Sequence, residues 1–198
     1  TIGGLTGVMV ATLGIDVHVH DTYFIVAHFH YVMVGGTMMA YLGGLHYWWP
    51  KMTGRMYPEG LGRLSAVLIF VGFNLTFFLM HLTGLLGMPR RVHIYSSDAG
   101  WAWLNLISSI GGFALAMGFA LVLADFLMQF RFGPRAGRNP WKAGTLEWAQ
   151  PAQPASYAFA SLPHIDTRAD DLDAELLGQH SLNASSPGMR DNPVYVAQ

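Results

Sequence analysis

The sequence predicts an all-α fold: a polytopic transmembrane helix bundle, built from the end of one helix plus three full transmembrane helices, with an irregular polar C-terminal tail. Three observations predict it. Apolar residues make up 52% of the 198 positions and charged residues 12%, about half the share of roughly 25% found in soluble domains. Three apolar runs stand out, at 23–49, 64–86 and 101–130. The shortest, about 23 residues at ~1.5 Å each, reaches roughly 34 Å against a hydrocarbon core of about 30 Å. Beyond residue 133 the composition changes, and seven of the ten prolines fall there.

Taken in order, "TIGGLTGVMVAT" reads as the end of a helix over about 1–12, and because it opens on Thr1 without its apolar beginning, the chain is expected to be a fragment. No charged stretch precedes a short apolar one, so no signal peptide is read. A loop holding "DVHVHD" follows. The first full helix is expected over about 22–49 and stops at Pro50; the second covers about 62–87, with Pro89 beyond it; the third covers about 100–131, with Pro134 beyond it. Trp48, Trp49, Trp101 and Trp103 stand at run ends, where indole rings favour the headgroup region. Glycines inside the runs, among them Gly35, Gly36, Gly111 and Gly118, allow close helix approach in lipid. Residues 1–132 thus form the membrane part and 133–198 a polar tail without a catalytic motif. The tail is expected to be mostly extended, with a short helix near 170–177 in the acidic "DTRADDLDAELL", and to lie against partner subunits or to be disordered.

Loop charges set the orientation. Lys51, Arg55 and Arg63 follow the first run, and Arg131, Arg135, Arg138 and Lys142 follow the third, so both ends face the cytoplasm. Arg90 and Arg91 then lie on the outer side, where few cations are expected, and call for an anion. The net charge of −1 gives no support to nucleic-acid binding, and the absence of cysteine excludes disulfides and thiolate sites.

The chemistry concentrates in "VHVHDTYFIVAHFHYVMVGG", residues 17–36. A histidine in a membrane helix is costly and needs a partner. His28 and His30 diverge by roughly 200° at about 100° per residue, so they face opposite sides and cannot hold one ion together. Two separate partners are expected, with Phe29 near the path between them. Either each histidine hydrogen-bonds a neighbouring helix, or each ligates the iron of its own haem, for which neutral imidazole is a standard axial ligand. Anionic haem propionates at the outer edge would answer Arg90 and Arg91. His20 and Asp21 read either as a helix start with an Asp cap or as part of the shell of a hard divalent ion. Asp16 is a further outer carboxylate. His18, His46, His81 and His93 are read as interfacial or loop residues without chemistry, and Asp125 as snorkelling or pairing with Arg131.

The strings "TIGGLTGV", "HDTYFIVAHFHYV", "WWPKMTGRMYPE", "NLTFF", "GMPRR" and "ISSIG" resemble the C-terminal part of subunit I of haem-copper terminal oxidases, of the cytochrome c oxidase type. "NPWKAGTLEW" is similar to bacterial members, and the likeness runs from Thr1 to about His164. The resemblance implies the last four of twelve helices, in a bacterial cytoplasmic membrane. It implies two haems of the a type, with His28 as the proximal ligand of the high-spin haem that faces copper and His30 as a ligand of the low-spin haem. It implies a magnesium or manganese site using His20 and Asp21, propionate partners in Arg90 and Arg91, and Asp16 near the high-spin propionates. The implied activity passes electrons from cytochrome c to dioxygen while protons are translocated, with subunits II and III as partners. Copper ligands belong to upstream helices, so the fragment alone is expected to be inactive and not to fold stably. Leu79 departs from the family's "TFFP" and Val92 from the aromatic that follows "MPRR". Rival readings are a quinol oxidase of the same family, a non-redox proton transporter or channel, and a structural remnant. In the full-length subunit, His30→Ala is expected to erase the low-spin haem absorption; its survival in the optical spectrum would remove the ligand assignment.

Overall fold

An extended Thr12, at φ −84° and ψ 111°, interrupts the first apolar stretch and splits it into α1 (Ile2–Ala11) and α2 (Leu13–Val19), bent by 99°. The computed structural model describes residues 1–56 and 59–148, and among them every regular element is helical. The expected "DVHVHD" loop is therefore corrected: most of it is the short helix α2, closed by Asp16 N–H to Thr12 C=O at 2.9 Å. The expected acidic helix near 170–177 lies outside the described residues.

The first full span is helical throughout, in three consecutive parts: α3 (Tyr23–Val32), a π-helical segment (Met33–Met38) and α4 (Met39–Thr53). Its start is fixed by Thr22, whose Oγ1 accepts from Phe24 N–H at 3.2 Å and donates to the Val19 carbonyl at 2.6 Å. Thr22, not Asp21, is the cap. The wide turn, in which Met39 N–H reaches the Val34 carbonyl, contains Gly35 and Gly36 and had no signal in the apolar pattern. Pro50 does not stop the helix as expected, because its missing N–H costs one backbone bond while the turn around it closes through Thr53 Oγ1 to Trp49 C=O (2.8 Å) and Gly54 N–H to Pro50 C=O (2.9 Å). Next come α5 (Glu59–Leu85), a single 3₁₀ turn (Ser97–Ala99) and α6 (Ala102–Phe132). Three helices, Tyr23–Thr53, Glu59–Leu85 and Ala102–Phe132, are long and apolar enough to cross a membrane, which makes this a multi-pass membrane fold.

The chain forms two compact units. The described part of the first covers 1–45 and 59–128. In it α3 lies against α5 with Phe24 and Ala27 at 2% and 0% exposure. A Cβ on Gly84 would fall 2.0 Å from the Phe24 backbone nitrogen, so only glycine permits the approach. Tyr31 Oη donates to Asn74 Oδ1 at 2.8 Å across the same seam. Helices α5 and α6 meet in the same manner: a Cβ on Gly72 would lie 2.4 Å from Leu115 N, and Ser108 Oγ donates to the Thr76 carbonyl at 2.8 Å. The outer faces keep Phe70, Phe113, Leu123 and Leu127 exposed, a surface suited to lipid or neighbouring helices.

The described part of the second unit covers 46–56 and 129–148. Here the expected irregular tail is pinned, over its described stretch, to the end of α4. Tyr47 accepts from both indoles, Trp148 Nε1 at its hydroxyl (2.7 Å) and Trp141 Nε1 at its carbonyl (2.9 Å). Trp148 is fully buried beneath Lys51 Nζ, 5.1 Å from its ring centre. Arg55 pairs as an antiparallel bridge with Arg135 and donates to the Gly133 carbonyl at 2.7 Å.

Gly84→Ala in the full-length subunit places a methyl carbon on the Phe24 backbone, and thermal denaturation of the purified complex is expected to show a loss of about 1–3 kcal/mol.

Candidate functional site

Helix α3 carries its two central histidines to different neighbours. His28 lies against α1, where its Nδ1 is 3.0 Å from Thr6 Oγ1 and its Cε1 would be 3.0 Å from a Cβ on Gly7. His30 lies against α5, stacked on Phe77 at 4.0 Å between ring centres and 15° between planes. The structure therefore does not bring them together, as the 200° divergence requires. Phe29 is on the His30 side, stacked on that ring at 4.5 Å.

The second nitrogen of each ring decides what it can do. His30 Nδ1 is 2.8 Å from the carbonyl of Val26, one turn earlier. A carbonyl only accepts, so Nδ1 carries the proton and Nε2 keeps its lone pair. Thr6 Oγ1 has a single proton and two carbonyls within reach, Ile2 at 2.9 Å and Gly3 at 3.2 Å. With that proton turned to the backbone, Oγ1 accepts from His28 Nδ1–H, and Nε2 is again the free donor atom. In this arrangement Nε2 is the nitrogen each ring would offer to haem iron. The donor set fits two haems on opposite sides of one helix.

At the start of α3 the chain crosses the loop after α5. Thr22 and Pro89 form an antiparallel bridge, with Arg90 N–H to Asp21 C=O at 2.8 Å and Tyr23 N–H to Met88 C=O at 3.0 Å. This clasp brings together most of the remaining sequence-read residues. Arg90 forms an ion pair with Asp21 through Oδ1, while Asp21 Oδ2 is 3.6 Å from His20 Nε2 and Asp16 Oδ2 is 3.7 Å from His20 Nδ1. Each oxygen of Asp21 therefore has its own neighbour. Arg91 is exposed and, among the described residues, has no ion-pair partner. Asp21 and Arg91 both have positive φ, 57° and 67°, conformations that cost a non-glycine residue about 1 kcal/mol or more. Among the described residues no group of three or more His, Cys, Asp or Glu side chains is arranged to hold a metal ion.

Two readings from the sequence are corrected here. His81 is not in a loop: it is 7% exposed, inside α5, with the ring of Phe24 edge-on at 5.0 Å, because α3 packs over that turn. Asp125 does not snorkel; its side chain is fully buried within α6. Thr6, Gly7 and Phe77 gave no signal, since nothing local marks a residue as the neighbour of a histidine distant in the chain.

The fold and this arrangement define a helical, multi-pass membrane protein with two histidines on one spanning helix turned to different neighbouring helices. The sequence profile described as "Cytochrome C and Quinol oxidase polypeptide I" matches residues 1–114. Cytochrome c oxidase subunit 1 of Bacillus subtilis (strain 168) is 47% identical over 165 residues, 83% of this chain and 26% of that protein. The protein of the same name from Synechocystis is 49% identical over 178 residues, 89% of this chain and 32% of that protein. Quinol oxidase subunit 1 of Bacillus subtilis is 41% identical over 170 residues, 84% of this chain and 26% of that protein. A cryo-EM structure of a heme-copper terminal oxidase dimer matches with a TM-score of 0.59 and 26% identity, covering 68% of this chain and 25% of that one. The chain belongs to the cytochrome c and quinol oxidase polypeptide I family, subunit I of the haem-copper oxidases. It spans about a quarter to a third of the length of these relatives.

A double-mutant cycle of Asp21→Asn and Arg90→Gln, read by thermal denaturation of the intact complex, is expected to give a coupling of at most about 1 kcal/mol, because both groups are partly in solvent. Raising the salt concentration is expected to reduce it; a coupling that does not respond to salt would show that the contact is not electrostatic.

Proposed function

We propose that this chain is the C-terminal part of the catalytic subunit of a terminal respiratory oxidase, which reduces dioxygen to water with electrons from cytochrome c and couples this to proton translocation. The observation that carries the reading is the pair of histidines on opposite faces of one membrane helix, each with Nδ1 within hydrogen-bond distance of an oxygen. His28 holds the high-spin haem that faces copper and His30 the low-spin haem, with Phe29 beside the latter. When bound, these groups supply the electron transfer and oxygen chemistry. The chain's own residues hold, orient and electrostatically tune them.

Arg90 and Arg91 serve the propionates at the outer end of the bundle. Among the described residues Arg91 has no ion-pair partner, and its exposure supports that role. Arg90 is shared between a propionate and Asp21, whose second oxygen is left to His20 and, with ligands from elsewhere in the assembly, to magnesium or manganese. Asp16, beside His20, is the further carboxylate of this outer layer. The basic residues that follow α4 and α6 support a cytoplasmic side for those ends, and for the tail, in a bacterial membrane. Subunits II and III are the partners, and the chain by itself is inactive.

A quinol donor is the second reading, favoured by the 41% identity to a quinol oxidase subunit. Turnover of the intact complex is expected with reduced cytochrome c and not with quinol alone; the reverse result would make it a quinol oxidase. His28→Ala is expected to abolish oxygen reduction while the low-spin spectrum remains. Retained turnover in that variant would overturn the assignment of His28.

A further inference from the structure

We propose that Thr6 is a positioning residue that fixes the ring of His28 and sets its strength as an axial ligand, an inference that rests on the haem-ligand reading of His28. Thr6 Oγ1 lies 3.0 Å from His28 Nδ1 and within 2.9 Å of the Ile2 carbonyl. With the hydroxyl proton turned to the Ile2 carbonyl, the oxygen is left to accept a hydrogen bond from His28 Nδ1–H. A ligand bond at Nε2 enforces the same state, because a neutral imidazole bound through one nitrogen keeps its proton on the other.

The hydroxyl is held in place by backbone packing. Gly3, one turn before Thr6, is buried against α3, where a Cβ would lie 3.1 Å from Val32 and 3.2 Å from the Tyr31 backbone. Gly7 supplies the other half of the seat: a side chain there would meet His28 Cε1 at 3.0 Å. Thr6 thus holds the ring's angle and Gly7 leaves it room.

The two histidines differ in what accepts their Nδ1 proton. His30 uses a carbonyl of its own helix, Val26, and turns with it. His28 uses a hydroxyl on a different helix, so its donor strength follows the position of α1. An acceptor on Nδ1–H pushes negative charge onto the ring, strengthens the bond at Nε2 and favours the oxidised iron. A hydroxyl that already donates is a moderate acceptor, weaker than a carboxylate.

The test uses the intact oxidase with Thr6→Val, which keeps the shape and removes the acceptor, Thr6→Ser, which keeps the acceptor, and Thr6→Ala, which removes it without branching at Cβ. The iron–histidine stretching frequency of the reduced enzyme and the midpoint potential of the high-spin haem are read by resonance Raman and spectroelectrochemistry. Thr6→Val and Thr6→Ala are expected to lower the frequency and raise the potential, and Thr6→Ser to return both to the wild-type values. Unchanged frequency and potential in Thr6→Val or Thr6→Ala, with the haem bound, overturn the inference. His28→Gly separates the two readings. Persistence of the iron–histidine band in that variant means that His28 is not the ligand, whereas its loss there, with Thr6→Val or Thr6→Ala unchanged, removes only the role of Thr6.

Discussion

The contact between α3 and α5 at Gly84 is the constraint on which the site depends. With no side chain at that position, the backbone of Phe24 settles onto α5, and Phe24 and Ala27 disappear from solvent. A seam this tight fixes the rotation of α3 about its axis as well as its distance, because a packed interior does not deform smoothly. The fixed rotation puts His30 on Phe77 and turns His28 to the opposite neighbour, α1. It also explains His81: a ring that sequence position would leave near a helix end is roofed by Phe24.

The same seam sets the outer layer. Because α5 ends beside the start of α3, the loop after it crosses residues 21–23 and pairs with them by backbone hydrogen bonds. The left-handed conformations of Asp21 and Arg91 lie within or beside this crossing and are paid for by its bonds. The result is an alternating row, Asp16, His20, Asp21, Arg90, in which the cation sought for an anion outside the chain already has one within it. Arg91, one residue on, has no ion-pair partner among the described residues.

How much was legible follows the range of the forces. Helix lengths, the charged flanks and the opposed histidines were readable because they depend on residues within a turn or two of each other. Failures came where a local rule met a non-local contact. Pro50 breaks a rule about isolated helices, but the turns around it find other bonds; the wide turn at Met33–Met38 and the bend at Thr12 leave no mark on an apolar pattern. The start of the tail looked irregular because its order comes from Trp141 and Trp148 meeting Tyr47, 94 and 101 residues away.

The sequence by itself determined that three helices can enter a membrane and that His28 and His30 face apart, because both follow from hydrophobic length and the helical repeat. Only the tertiary structure decided that His28 Nδ1 meets Thr6, that Arg90 stands on Asp21, and that His81 and Asp125 are buried. Those outcomes depend on which helix lies alongside, and that is settled by the close approach of glycine-bearing helix faces distant in the chain.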